Sequence, residues 1–169
     1  KKHKMILMAE VTNNENDLNL LELDYQTIKE QTEIQPKELE ADSGYGNIGQ
    51  IINIEKNPQT KCYVPLRNSN SKEEDKKNNL EFKYNEEKDE FICSQGKKLK
   101  LHQKRKKHRG QLYNVYKGVD CLGCPVKSKC TQSKTGRRVH RNINQKWIDQ
   151  YKAFLETKTA KDKIKERKA

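Results

Sequence analysis

The residues best suited to chemistry are cysteines. Cys93, Cys121, Cys124 and Cys130 follow the spacing C-x27-C-x2-C-x5-C, four thiols within 38 residues. Two thiolates separated by two residues fit a tight turn that points both sulfurs at one tetrahedral ion, and Gly123 and Pro125 suit such a turn. The spacing predicts one structural zinc held by all four. A closed set of four protein ligands leaves no position for a substrate. Lys127 and Lys129 lie close enough in sequence to offset the negative charge of four thiolates. Buried thiols, or a redox or iron–sulfur role, are the alternatives. His102, His108 and His140 stand among lysines and arginines and read as surface or phosphate-facing groups. Cys62, beside Tyr63 and Val64, reads as a small buried hydrophobe.

Asp42 is the second residue of interest. It falls where a short strand gives way to the glycine-rich stretch Ser43-Gly44-Tyr45-Gly46, the position at which α/β folds display ligand-binding groups. A carboxylate there could hold Mg²⁺ and a substrate phosphate, although one carboxylate alone is a poor metal site. Taken by itself, the local sequence favours an Asx-turn cap onto the Ser43-Gly44 backbone.

The elements that must position these groups come in two textures. KMILMAEV (4–11) predicts a strand, and Asn16 or Asp17 caps a helix over 17–33 with Leu20, Leu21, Tyr25 and Ile28 on one face. KELEA (37–41) predicts a second strand, Asn47 caps a second helix bearing Ile48, Ile51 and Ile52, and KCYVP (61–65) predicts a third strand. This is a βαβαβ unit. The polar run over 67–79 has no packing potential. Beyond it, LEFKY and EFIC flank NEEKD as a β-hairpin with Phe82 and Tyr84 facing Phe91. KKLKL and QLYNVYK predict strands on either side of the basic run His102–Arg109, and RRVHR (137–141) another. A helix over 144–157 gathers Trp147, Ile148, Tyr151 and Leu155 on one face, and the charged tail after it is helix-compatible. The expected organisation is a core over 1–66, a polar loop over 67–80, a cysteine-rich basic insertion over 81–142 and a helical segment over 143–169 that returns to the core.

Composition limits what such a chain can bury. Of its 169 residues, 36% are charged, the mean hydropathy is −1.21, and Leu, Ile, Val and Phe together number 33. So small an apolar content calls for a staple such as a metal, or for the rest of a larger fold. The net charge of +12 is concentrated at one end: residues 1–60 carry 6 basic and 11 acidic groups, and residues 93–169 carry 23 and 5. That asymmetry predicts a polyanionic partner for the second half. No run approaches the length of a membrane span, and the opening segment turns polar at Glu10 as a signal peptide would not. The thiols are therefore expected to stay reduced.

Several motifs together resemble the DDE transposases of bacterial insertion sequences. Ala41-Asp42-Ser43-Gly44-Tyr45 is similar to the family's A-D-x-G-Y signature. Val11-Thr12-Asn13-Asn14 with Asp17, and Tyr63-Val64-Pro65, fit the stretches around it. Phe82-Lys83-Tyr84, Asp89, Phe91-Ile92-Cys93 and Gly96-Lys97 resemble the opening of its cysteine-bearing insertion, and Cys121-x-Gly-Cys-Pro125 with Cys130-Thr131 the close. The resemblance implies a partial RNase H-like core with a mainly β, zinc-stapled insertion and a C-terminal helix.

In that family, three carboxylates hold two Mg²⁺ or Mn²⁺ ions that drive DNA strand cleavage and transfer. Asp42 matches the second carboxylate. The first is expected upstream of Lys1. The third is expected on the helix after the insertion, in a Tyr-x2-Arg-x3-Glu box where Arg167 matches the arginine and Ile164 replaces the tyrosine. The resemblance thus implies an internal fragment, inactive alone, with one of three metal ligands. It implies DNA partners (transposon ends and target), a homodimer as a possible state of the complete enzyme, a nucleoid-associated cytoplasmic location and no membrane. Lys104, Arg105, Lys106, Lys107, Arg109, Arg137, Arg138, Arg141 and Arg167 are the DNA-contact candidates. A non-catalytic nucleic-acid-binding zinc module and a degenerate gene product are the competing readings.

Overall fold

The computed structural model describes residues 15–66, 80–108 and 111–168, with the single positions 6, 9, 11 and 13. The expected strand over 4–11 and the polar loop over 67–79 lie almost wholly outside the described residues. The chain divides into two compact units, one formed by Lys1–Arg67 with Lys146–Ala169 and the other by Asn68–Gln145.

The first unit opens with a 3₁₀ turn over Asp17–Asn19, where the Asn16 side chain accepts from the Leu18 N–H at 3.1 Å. Helix α1 (Leu21–Thr32) follows, so the expected helix starts as a tighter turn, and it ends on Glu33 in the left-handed region at φ 56°. Strand β1 (Glu38–Glu40) and strand β2 (Lys61–Tyr63) pair in parallel, joined by helix α2 (Ile48–Glu55). Asn47 caps α2 by accepting from the Gly49 N–H at 2.9 Å. Parallel neighbours need such a crossover. Among the described residues this sheet has these two strands.

Ile51, Ile54, Val64 and Cys62 are buried between α1, α2 and β2, each large aliphatic burial contributing roughly 1.5–3 kcal/mol. Helix α4 (Gln145–Leu155) adds Tyr151 to this core. The Tyr151 hydroxyl accepts from the Val64 N–H and lies 3.1 Å from the carbonyls of Cys62 and Val64. One phenol thereby satisfies backbone groups that another strand would otherwise pair. Trp147 stacks on Tyr151 at 4.9 Å. Helix α5 (Lys158–Lys168) forms from the charged tail and joins Lys163 to Glu38 at 2.6 Å.

The second unit is a five-stranded antiparallel meander: β3 (Phe82–Asn85), β4 (Glu90–Cys93), β5 (Lys98–His108), β6 (Gln111–Gly118) and β7 (Arg138–Asn142). Helix α3 (Lys127–Cys130) is a single turn in the β6–β7 connection. In the hairpin, Tyr84 pairs with Phe91 and Phe82 with Cys93. The sheet curls enough for two arginine side chains at the β7 edge to reach rings of β3, with the Arg141 guanidinium 4.0 Å from the Tyr84 ring and Arg137 4.9 Å from Phe82. Phe91, Leu99 and Tyr116 fill the concave side, with Tyr84 packed against them. The hydroxyls of Tyr84 and Tyr116 both donate to Asp89, and burial followed by that bond raises the Tyr116 pKa.

The basic run departs from expectation. It does not separate two short strands but lies inside β5, paired with β6 as far as His108–Gln111. Register shifts between Leu101 and Gln103 and between Gln103 and Lys106 accommodate it, with Arg105 at φ 49° donating its N–H to Asn114. Such bulges absorb residues that the ladder cannot pair.

Candidate metal centre and basic surface

The cysteines reach one place from three directions. Cys93 ends β4, where its carbonyl accepts from the Gly96 N–H at 2.8 Å and its N–H donates to the Lys97 carbonyl at 2.9 Å. Gly96, at φ 69°, closes this turn. Cys121 and Cys124 bracket a second turn, and the Cys124 N–H donates to the Cys121 carbonyl at 3.3 Å. Cys130 ends α3, and its carbonyl accepts from Arg137 Nη1 at 2.7 Å. All four line a single cavity of about 30 Å³, together with Phe82, Leu99 and Lys127. Lys129 is not among its lining residues.

Two glycines make room for the sulfur of Cys121. A Cβ at Gly118 would collide with Cys121 Sγ. At Gly136, where φ is +103°, a Cβ would stand 3.0 Å from the Gly118 carbonyl and 3.2 Å from Cys121 Cβ. A Cβ at Gly118 would have to displace the Cys121 sulfur, and at Gly136 the positive φ disfavours any side chain. The thiol set, the shared cavity and this cradle suit a soft, tetrahedral ion. Among the described residues, no group of three or more His, Cys, Asp or Glu is arranged to hold a metal. The structure therefore collects the four thiols around one space without drawing them to coordination distance. No disulfide joins them. If the four thiols bind zinc as their spacing predicts, Gly118→Ala is expected to displace Cys121 and lower zinc retention at least tenfold against a competing chelator, whereas Gly123→Ala, where a Cβ meets nothing within 4 Å, should leave it unchanged.

Cys62 is fully buried in the first unit. Burial, and then the Glu55 carboxylate, push its thiol up to about 12, so it remains protonated.

Asp42 is exposed just beyond β1. Its Oδ1 accepts from the Gly44 N–H at 2.7 Å, capping the 3₁₀ turn Ser43–Tyr45. A Cβ at Gly44 would lie 2.7 Å from Asp42 Oδ1 and 3.7 Å from Asp17 Oδ2, which sets the two carboxylates about the same glycine. Burial, then Asp17, Asp24 and Asp42, raise the Tyr45 pKa.

The DNA-contact candidates scatter. Lys104, Arg105 and Lys107 are exposed on β5 and Lys106 is half-buried there. Arg109 lies outside the described residues. Arg137 and Arg141 turn onto the rings of Phe82 and Tyr84, while Arg138 is exposed on β7. Arg167 is exposed on α5, in the other unit. Sequence reading missed Lys100 and Lys117, which the ladder aligns with Arg138, and it missed the Gly118–Gly136 cradle. The only signal for the cradle was a glycine three residues before Cys121.

Residues 92–169 match the family described as "Transposase DDE domain". Over these residues the chain is similar to that family, and the matched stretch takes in Cys93 and the Cys121–Cys130 motif but not Asp42. No curated protein and no solved structure matches the chain. No helix among the described residues is long and apolar enough to cross a membrane.

Proposed function

We propose that the chain belongs to the DNA-strand-transfer machinery of a DDE transposase. The observation that carries this reading is the match of residues 92–169 to the transposase DDE domain. Its first unit acts as part of an RNase H-like core, and its second as a zinc-stapled, DNA-facing insertion. Asp42 precedes the matched stretch, so its role rests on the A-D-x-G-Y resemblance and on its position after a strand of a parallel pair. With Oδ1 engaged by Gly44, Oδ2 is the oxygen available to a divalent metal. Mg²⁺ or Mn²⁺, when bound, would polarise the scissile phosphodiester. The chain's own contribution is to hold that carboxylate rigid through the Asx turn. DNA is the partner, and a homodimer of the complete enzyme is part of this reading.

The Asx turn also supports a second reading, a non-catalytic nucleic-acid-binding zinc module, because capping alone accounts for Asp42. The test is an assay of the chain with labelled duplex and Mg²⁺ or Mn²⁺. One carboxylate of three predicts binding without cleavage, and Asp42→Ala should leave binding unchanged. Cleavage by the chain that disappears in Asp42→Ala would overturn the one-of-three assignment. Absence of duplex binding even at low salt would overturn the transposase reading itself.

A further inference from the structure

The pairing register sorts the second unit's side chains by face, because directly opposed residues of antiparallel strands share one side of the sheet. Leu101, Tyr116 and Val139 mark the concave side. The convex side receives the row Lys100–Lys117–Arg138 across β5, β6 and β7. Three cations therefore stand directly opposite one another on adjacent strands. Like charges in such positions destabilise a sheet, and among the described residues no ion pair neutralises Lys100, Lys117 or Arg138. Glu90 is paired in register with Lys100, but its carboxylate is bound to Lys98 at 3.2 Å.

Further along the same face lies a second group. Tyr113 sits between His108 and His140, at ring distances of 6.5 and 6.1 Å, and Lys106 is opposite Tyr113. Burial, and then Lys106, His108 and Arg138, hold the His140 imidazole below its usual range, which reports how closely the cations crowd. Concentrated positive charge that costs the sheet stability is accounted for by an anionic ligand.

We propose that the convex face of β5–β6–β7, through Lys100, Lys117 and Arg138 with Lys106, binds the phosphate backbone of duplex DNA. The identity of the polyanion rests on the transposase reading. Tyr113, half-buried beside His108 and His140, is the one aromatic ring of this group, whereas the cations form a row across three strands, which favours backbone contact over a single-strand platform.

The test is fluorescence anisotropy of a labelled duplex against the full chain over a salt series. The triple variant Lys100→Gln, Lys117→Gln, Arg138→Gln should reduce the slope of log K against log salt by about 3 and weaken binding at least tenfold. Lys100→Arg with Lys117→Arg, which keeps the charge, should retain both slope and affinity and so shows that the ladder tolerates substitution. A control losing the same charge from the other unit, Lys37→Gln, Lys56→Gln, Lys165→Gln, should keep the wild-type slope. If wild type binds and the convex-face triple variant binds equally well, the proposed face is wrong and the transposase reading stands. If the two triple variants lose affinity alike, bulk charge rather than this face is responsible, which also overturns the proposal. If wild type shows no binding at low salt, both fail.

Discussion

Affinity for duplex DNA is expected to fall on the order of 10²- to 10³-fold between 50 and 200 mM salt. The size of the effect follows from how many phosphates the protein can neutralise. Each contact releases condensed counterions and steepens the salt dependence by about 0.9. The exposed or half-exposed cations of the β5–β7 region, among them Lys100, Lys104, Arg105, Lys106, Lys107, Lys117 and Arg138, supply between four and six such contacts. Arg137 and Arg141 are left out, because their guanidiniums lie over aromatic rings. Their removal should cost folding stability more than it changes the salt slope. Sequence preference should be weak, since contacts of this kind position a duplex without reading its bases. A binding constant that does not move with salt would show that the +12 charge is only a solvated surface.

The zinc staple proposed for the second unit predicts that removal of metal unfolds it. Its core is small: Phe91, Leu99 and Tyr116 are the buried residues of its apolar cluster. A structural zinc contributes about 10–16 kcal/mol in small metal-dependent domains, as much as the whole stability of a typical domain. A strong chelator should therefore abolish amide protection in β5 and β6, and Cys121→Ser should do the same without chelator. The first unit, whose core is built from Ile51, Ile54, Val64 and Tyr151, should keep its protection in both cases. Cys62→Ala provides the contrast, because that thiol is a packing group. It should cost on the order of 1–2 kcal/mol of first-unit stability and leave zinc binding unchanged. Protection in β5 and β6 that survives complete metal removal would show that the aromatic cluster is sufficient on its own.

Much of this arrangement was legible where short-range rules dominate. Alternation of Phe82 and Tyr84 against Phe91 gives the β3–β4 hairpin in register. Asn47 followed by Ile48, Ile51 and Ile52 gives α2 with its cap, and Cys62 is buried as its neighbours suggested. The readings that differed depended on partners far away in the chain. Nothing local in Gln103-Lys104-Arg105-Lys106-Lys107 favours a strand; β6 imposes one through Val115, Tyr113 and Leu112, and the mismatch is discharged in bulges. The Tyr151 hydroxyl satisfies backbone 87 residues away in sequence, and helical periodicity reveals only that this side chain faces inward. The curl of the sheet places Arg141 over Tyr84, turning an expected phosphate contact into a packing group. At the cysteines, spacing indicated which residues converge, but the need for bare backbone at Gly118 and Gly136 emerges only from the turn geometry around Cys121. Asp42 takes the Asx cap that local sequence favours, and this leaves one carboxylate oxygen for the role that the family resemblance implies.

The four cysteines acting as one site are central to the proposed architecture of the second unit. The most direct measurement is metal analysis of the purified chain, paired with titration of accessible thiols before and after chelation. The proposed zinc staple predicts a zinc-to-protein ratio near one, with Cys93, Cys121, Cys124 and Cys130, which line one cavity, becoming reactive together when the metal is withdrawn. A ratio near zero in folded protein whose cysteines already react independently would contradict it.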